Sequence, residues 1–291
     1  MKIIKLNFTS PLHIGEIGIG LEESSPIIHS DTIFNGIINA YSLLHTEEET
    51  DEFVKKFEKV RISSAYPFDE NNIYFPKPRV KINFDGELPK DWKKVEFISK
   101  DYFEKIINYE KLNESDIENI LNKKYLYEEQ QIPKVYLDRE TKKSDFFFVG
   151  LIKFNEKCGL WFTIECEENI YREIISSLRL LQEEGFGGKR TWGYGLFSFK
   201  EENITLRTPL NGNKYMLLSL FYPDENEKGL FSGASSWDFV LKGGWIGKER
   251  KPRIKMIKEG SVFEKLPEGK LIHYEGYSIY GKAYAIQIKG E

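Results

Sequence analysis

The chemistry in this chain concentrates in one stretch, Gly185-Phe186-Gly187-Gly188-Lys189-Arg190-Thr191-Trp192-Gly193-Tyr194-Gly195. Five glycines in eleven residues permit positive φ angles and let the backbone approach a bulky ligand closely. Lys189 and Arg190 add two cations at a turn whose exposed amides also favour an anion. Phe186, Trp192 and Tyr194 supply flat faces on which bases can stack. Glycine, cation and aromatic together point to a ligand bearing phosphates and bases, with RNA the leading candidate. The same glycines also suit a plainer task, ending a helix and admitting a tight entry into a strand. A phosphate loop of the Gly-x-x-x-x-Gly-Lys-Ser/Thr type is absent, because Arg190 follows Lys189 and the helix precedes the loop.

The four histidines, His13, His29, His45 and His273, share no short spacing with cysteines or carboxylates. No metal site and no cofactor is therefore expected. His29-Ser30-Asp31-Thr32 has the letters of a hydrolytic triad, but triads are assembled by the fold rather than by adjacency. It reads better as a helix N-terminus whose free amides receive a phosphate. RNA cleavage with His29 as general base is the alternative. His13 lies in the turn Leu12-His13-Ile14-Gly15, where facing a ligand and filling the turn stand equally open. His45 opens an acidic loop and reads as solvated. Asp138-Arg139 and Lys142-Lys143-Ser144-Asp145 form either a plain surface hairpin or one that reaches toward RNA phosphate.

At 291 residues, with 40% hydrophobic and 14% aromatic side chains, the chain can build two modest domains or one large one. A charged fraction of 30% excludes an integral membrane protein, and no apolar run approaches the roughly 18 residues of a spanning helix. The N-terminal residues alternate like a strand and lack a signal peptide's apolar stretch. Cys158 and Cys166 are too few for a disulfide framework, so a cytoplasmic location is expected. The net charge of −4 taken alone argues weakly against nucleic acid, but local fields decide binding. Segment 242–258 sets seven lysines and arginines, Arg250 and Lys251 among them, against Glu249 alone. Glu47-Glu48-Glu49-Thr50-Asp51-Glu52 forms an opposing acidic turn.

Stepwise along the chain, residues 2–8 read as a strand with Ile4, Leu6 and Phe8 on one face. A helix follows from about Thr32 to Leu44, capped by Ser30 or Asp31, with Ile33, Phe34, Ile37, Ile38, Tyr41 and Leu44 as its stripe. Residues 60–84 look like short strands broken by prolines. Residues 85–145 read as a polar insertion with short helices at 99–109 and 114–126. Strand signals return at 146–154 and 160–164, followed by a helix over 170–184 with Gly185 as its C′ residue. The glycine loop then leads into a strand at 192–199. This is the split βαβ, ferredoxin-like plan with a long insertion. The expected division is an N-terminal domain over 1–203 and a smaller β-rich domain over 204–291, with strands at 214–222, 238–246, 252–257 and 279–288. The first and last strands of the N-terminal sheet are expected at opposite edges, so the loops bearing Gly15, Gly18 and Gly20 and bearing Gly187 and Gly188 need not meet.

In order, Pro11-Leu12-His13-Ile14-Gly15, Ile28-His29-Ser30-Asp31-Thr32-Ile33-Phe34, Phe75-Pro76-Lys77-Pro78 and Asp138-Arg139 resemble the fourth Csm subunit of type III-A CRISPR effector complexes. The glycine loop is similar to that of the wider RAMP superfamily, and Arg250-Lys251-Pro252-Arg253 through Val262-Phe263 resembles the family's C-terminal pattern. The resemblance implies an α+β fold of two ferredoxin-like, RRM-like domains and a Cas-five-like role. Such a subunit holds the repeat-derived 5′ tag of the crRNA between the large polymerase subunit and the first backbone subunit, and is not itself a nuclease. It implies RNA contacts from His13, Ile14, Gly15, His29, Ser30, Lys77 and Arg139. From the loop and the late basic segment it adds Gly185, Phe186, Gly187, Gly188, Lys189, Arg190, Trp192, Arg250 and Lys251. Trp192 and Phe186 are the preferred stacking platforms, with core packing of Trp192 equally open, and stacking predicts preference for single-stranded tag over duplex. Two alternatives stand beside this: a RAMP endoribonuclease processing precursor crRNA with His29 or His13 as base, and a structural adaptor that touches only protein.

Overall fold

The computed structural model describes residues 1–15, 20–122, 125–137, 144–232, 235–246 and 249–290. Its centre is the strand Lys2–Phe8, paired antiparallel on one side with Gly159–Glu165 and on the other with Phe197–Asn203. Arg61–Ile62 and Tyr66–Phe68 both pair with the outer side of Gly159–Glu165, completing a five-stranded sheet. Helices Ser30–Ser42 and Glu168–Glu184 cover one face. There Ile33, Phe34, Ile37, Ile174, Leu178 and Leu181 bury against Ile4, Leu6, Leu160 and Phe162. The alternation along each strand and the 3.6-residue stripe along each helix make this layer. It is the α+β, ferredoxin-like arrangement.

The expectation of opposite edges is overturned. Ile4 lies opposite Glu201 and Phe8 opposite Phe197, so the first and last strands are neighbours along their length. In a split βαβ plan the two crossovers interleave, and the fourth strand slots in beside the first. The loop that leaves the first strand and the loop that enters the last therefore meet.

Ile3 and Trp161 face away from the helices, into a second cluster with Tyr66, Phe75, Phe103, Met216 and Leu218. The insertion and the C-terminal half thus cover the sheet's other face. Within the insertion, helices Lys100–Ile107 and Glu114–Leu121 precede a long two-stranded ribbon, Tyr127–Leu137 with Ser144–Phe154. The first of these strands was not expected: most of its side chains are exposed, so it lacks the apolar alternation of a half-buried strand. After Glu184 the described residues contain no α-helix. They form a three-stranded sheet in the order Val262–Phe263, Lys214–Leu217, Ala285–Ile288. Three two-stranded pairs accompany it: Phe239–Lys242 with Ile254–Ile257, Trp245–Ile246 with Glu249–Arg250 lying between those two strands in the chain, and Leu271–Tyr274 with Tyr277–Tyr280. The single strand expected at 279–288 is thus divided between a hairpin and the sheet.

The first helix begins one turn-step earlier than expected, with His29 rather than Ser30 or Asp31 at its N-cap. It ends at Ser42, so Leu44 lies beyond it and is exposed. The acidic run 47–52 is not a turn but the start of helix Glu47–Lys56. Thr46 and Glu49 close a reciprocal capping box there, the Glu49 amide donating to Thr46 Oγ1 and the Thr46 amide to Glu49 Oε2.

Candidate nucleic-acid interface

The glycine loop is shaped by its own chain. Gly185, Gly187, Gly193 and Gly195 all have φ between +80° and +84°. A Cβ on Gly187 would strike the His13 carbonyl oxygen, and one on Gly195 the Phe186 carbonyl oxygen. The Gly188 amide donates to the His13 carbonyl at 2.8 Å and the Gly195 amide to the Pro11 carbonyl at 2.8 Å. The close approach that sequence reasoning reserved for a ligand is at these positions an approach of the loop to the first turn. Phe186 corrects a second expectation. It is 1% exposed, its ring 5.1 Å from that of Phe197, and so it is core rather than a stacking platform.

The loop's polar residues turn the other way. Arg190 is exposed and Lys189 half-buried in a left-handed conformation, φ 60°. Trp192 is 42% exposed, with the Lys189 ammonium 4.8 Å and the Lys134 ammonium 5.4 Å from its ring centre. Lys134 comes from the ribbon strand Tyr127–Leu137, so this strand lies beside the glycine loop.

Loop, first turn, first helix and C-terminal basic hairpin together wall a cleft of about 490 Å3. One side carries Gly187, Gly188, Lys189 and Arg190 next to His13 and Gly15. The first helix contributes Asp31, Thr32, Asn35 and Asn39, and the C-terminal half contributes Lys242, Trp245 and Lys251. Lys242 is buried with its ammonium 3.4 Å from Asp31 Oδ1. Lys251 is half-buried with its ammonium 4.6 Å above the Tyr277 ring. Burial lowers the Lys251 ammonium below its ordinary value, and Asp31 opposes that shift. Arg250 stands over the Trp245 ring at 5.1 Å, just outside the cleft's lining. His13 is buried at the cleft wall, its Nδ1–H donating to the Gly150 carbonyl at 2.7 Å.

The RAMP superfamily model matches residues 5–198, and the CRISPR Csm4 C-terminal domain model matches residues 210–288. The CRISPR system Cms protein Csm4 of Thermococcus onnurineus is 30% identical over 258 residues, covering 84% of each chain. The chain belongs to the Csm4 family of the RAMP superfamily. The Csm4 of Methanocaldococcus jannaschii is 26% identical, with 90% of this chain and 85% of that one covered. Among solved structures, a chain of the Csm3–Csm4 subcomplex in the type III-A CRISPR-Cas interference complex matches with a TM-score of 0.72 at 20% identity, over 99% of this chain and 100% of that one. A chain of the Csm1–Csm4 cassette in complex with cA4 matches at 0.66 and 20%, over 100% and 98%. These two likenesses show the shared fold.

Not every expected Csm4-type contact residue reaches the cleft. His29 is fully buried, and its Nδ1–H donates to Glu259 Oε1 at 2.7 Å. A phosphate cannot reach it, nor can a scissile bond, so neither the anion-receiving nor the base role fits it. Ser30 is likewise buried: its amide donates to Ser64 Oγ and its own hydroxyl accepts from the Leu220 amide. The helix start binds the chain's second half instead of an anion. Lys77 lies apart from the cleft, its ammonium donating to the Trp92 carbonyl at 2.8 Å within the insertion. Arg139, like Gly18 and Lys248, lies outside the described residues.

The cleft lining also includes residues outside the expected site, among them Asp31, Asn35, Asn39, Lys242 and Trp245, with Lys134 beside it. Asn35 and Asn39 recur at i, i+4 from Asp31 on the polar side of an amphipathic helix, a period visible in the sequence. Lys242 and Trp245 sit in the basic hairpin already noted for charge. Lys134 carried no signal, because its strand has no apolar alternation. Among the described residues no group of three or more His, Cys, Asp or Glu is placed to hold a metal ion. Among them, too, no helix is long and apolar enough to cross a membrane.

Proposed function

We propose that this chain is the crRNA-holding subunit of a type III-A Csm complex. It seats the single-stranded, repeat-derived 5′ tag in the cleft and joins the large polymerase subunit to the backbone RAMP subunit. One observation carries the reading: Lys189 and Arg190 converge with Lys242 and Lys251 on a single cleft, although more than 50 residues separate the two pairs. Clustered ammonium and guanidinium groups favour a polyanion through release of its counterions. Gly15, Gly185, Gly187, Gly188 and the Ile14 backbone shape the wall, and Arg250 and Trp192 extend it. Relatives carry the names of the partners: the Csm4 matches come from Csm3–Csm4 and Csm1–Csm4 assemblies. The two family matches divide near residue 204, in keeping with an N-terminal unit over 1–203 and a C-terminal one over 204–291.

The subunit works in the cytoplasm as a scaffold and not as a nuclease. Support comes from His29, which is sealed in an ion pair, and from His13, whose Nδ1 is held by a backbone carbonyl. Co-expression with a CRISPR array and the other Csm subunits tests the whole reading. The tagged chain should bring down mature crRNA together with both partners. Recovery of the partners without RNA contact from this chain, read by crosslinking, points to the adaptor alternative. Site-specific cleavage of repeat RNA by the purified chain that is lost in His13→Ala points to the endoribonuclease.

A further inference from the structure

The cleft is chemically two-sided. Cations line the loop and the C-terminal hairpin, whereas the first helix and the first turn offer hydrogen-bond acceptors. Asp31 accepts from Thr32 Oγ1 and meets the Lys242 ammonium, both through Oδ1, which leaves Oδ2 as an acceptor. Asn35 uses its Nδ2 to donate to the Asp31 carbonyl at 2.7 Å, and that bond orients the amide so that Oδ1 is the remaining acceptor. His13 donates through Nδ1 to Gly150, and its Nε2, next to Gly188, is the third acceptor. All three residues line the same cleft. Its volume of about 490 Å3 falls in the range of roughly 300–1,000 Å3 that holds small ligands.

We propose that the cleft takes one unstacked nucleotide with its base edge against the first helix, and that Asp31, Asn35 and His13 make it prefer bases bearing an exocyclic amino group over uracil. This rests on the reading that the cleft holds single-stranded RNA. Phosphate contacts position a strand without reading it, and unstacked bases are read on their Watson–Crick edges. Cytosine and adenine turn an amino group toward such an acceptor wall, and guanine turns an amino group and a ring N–H. Uracil offers a single N–H flanked on both sides by carbonyl oxygens, whereas the cytosine amino group carries two N–H donors at one end of its edge, to one side of the N3 and O2 acceptors. Cytosine against uracil is the clean comparison, because the two rings have the same size and stack about equally weakly.

The experiment is fluorescence anisotropy of the purified full-length chain with labelled eight-nucleotide oligo(C) and oligo(U) at one fixed salt concentration. A hydrogen-bond pair of this kind discriminates by about tenfold or more, so oligo(C) should bind about tenfold tighter. Asn35→Ala and Asp31→Asn should each weaken oligo(C) several-fold and narrow or abolish its advantage over oligo(U). Lys189→Ala with Arg190→Ala should weaken both alike. Equal binding of the two oligonucleotides by the unaltered chain overturns base selection and leaves RNA binding standing. Binding of neither overturns both, and the unaltered chain gives that answer even if a variant fails to fold.

Discussion

His29 Nδ1 and Glu259 Oε1 lie 2.7 Å apart, both side chains sealed from solvent, and 229 residues separate them in the chain. Ser64 Oγ donates to the same carboxylate oxygen. The start of the first helix, the loop after the strand Arg61–Ile62 and the C-terminal half are thereby pinned at one point. That same helix supplies Asp31 and Asn35 to the cleft, and the same C-terminal half supplies Lys242 and Lys251. The buried pair therefore fixes how the two walls of the cleft face each other.

Glu259→Ala should destabilise the chain by about 3–5 kcal/mol, because it strands a buried partner without its counter-charge. Urea unfolding at pH 7 measures this. Burial alone would raise the Glu259 carboxyl, but the charge and hydrogen bond of His29 and the Ser64 hydroxyl outweigh it and lower it from 4.5 to about 2. A carboxyl depressed on folding contributes fully above its unfolded value and loses that contribution as the pH falls through its folded one. Unaltered protein should therefore lose stability between pH 4.5 and pH 2, and Glu259→Gln should flatten that limb. A variant whose acid limb matches the parent would remove Glu259 from the account.

Gly187→Ala should cost more than Gly193→Ala, although the two φ angles are +84° and +81°. Both pay the left-handed penalty of about 1–2 kcal/mol. Only Gly187 adds a collision with the His13 carbonyl, whereas nothing lies within 4 Å of a Cβ on Gly193. Thermal unfolding should rank them in that order. Gly187→Ala should also lower RNA retention by lifting the loop off the first turn.

The layer that carries the cleft was legible in the sequence, and its closure was not. Alternation at Ile4 and Leu6 and the stripe through Ile33, Phe34 and Ile37 specify strand and helix, since both signals are local. Gly185 marked the helix end for the same reason. Phe186 and Trp192 sit six residues apart in similar surroundings, and one is buried and the other exposed. That difference depends on Phe197 and on Lys134, which only the fold brings near. His29 was misread as an open helix start because its partner, Glu259, is remote. The capping box at Thr46 and Glu49 was the missed local signal, masked by the acidity of the run it opens.

Lys189→Ala with Arg190→Ala should reduce crRNA retention and leave the unfolding temperature near that of the parent, because Arg190 is exposed and Lys189 only half-buried. Each charge-assisted contact is worth about 1.5–3 kcal/mol. For single-stranded RNA each neutralised phosphate adds about 0.7 to the slope of log affinity against log salt. The double variant should therefore be shallower by about 1.4 if both side chains meet phosphates. An unchanged slope would mean that these two cations do not touch the strand.

Trp192→Ala and Phe186→Ala should separate binding from folding within one loop. Phe186 is core, stacked near Phe197 and beneath the first helix at Gly36, so its removal should cost about 3–5 kcal/mol of stability. Trp192 has 42% of its surface open and two ammonium groups beside its ring. A base stacking on it gains about 1–3 kcal/mol, which a duplex of the same length cannot collect because its bases are already stacked. Trp192→Ala should thus leave thermal unfolding nearly unchanged and weaken single-stranded RNA roughly five- to a hundredfold by that estimate, with little effect on duplex. Competition between the two forms at fixed salt reads the difference. Equal weakening of strand and duplex would assign Trp192 to holding Lys134 and Lys189 in place rather than to stacking.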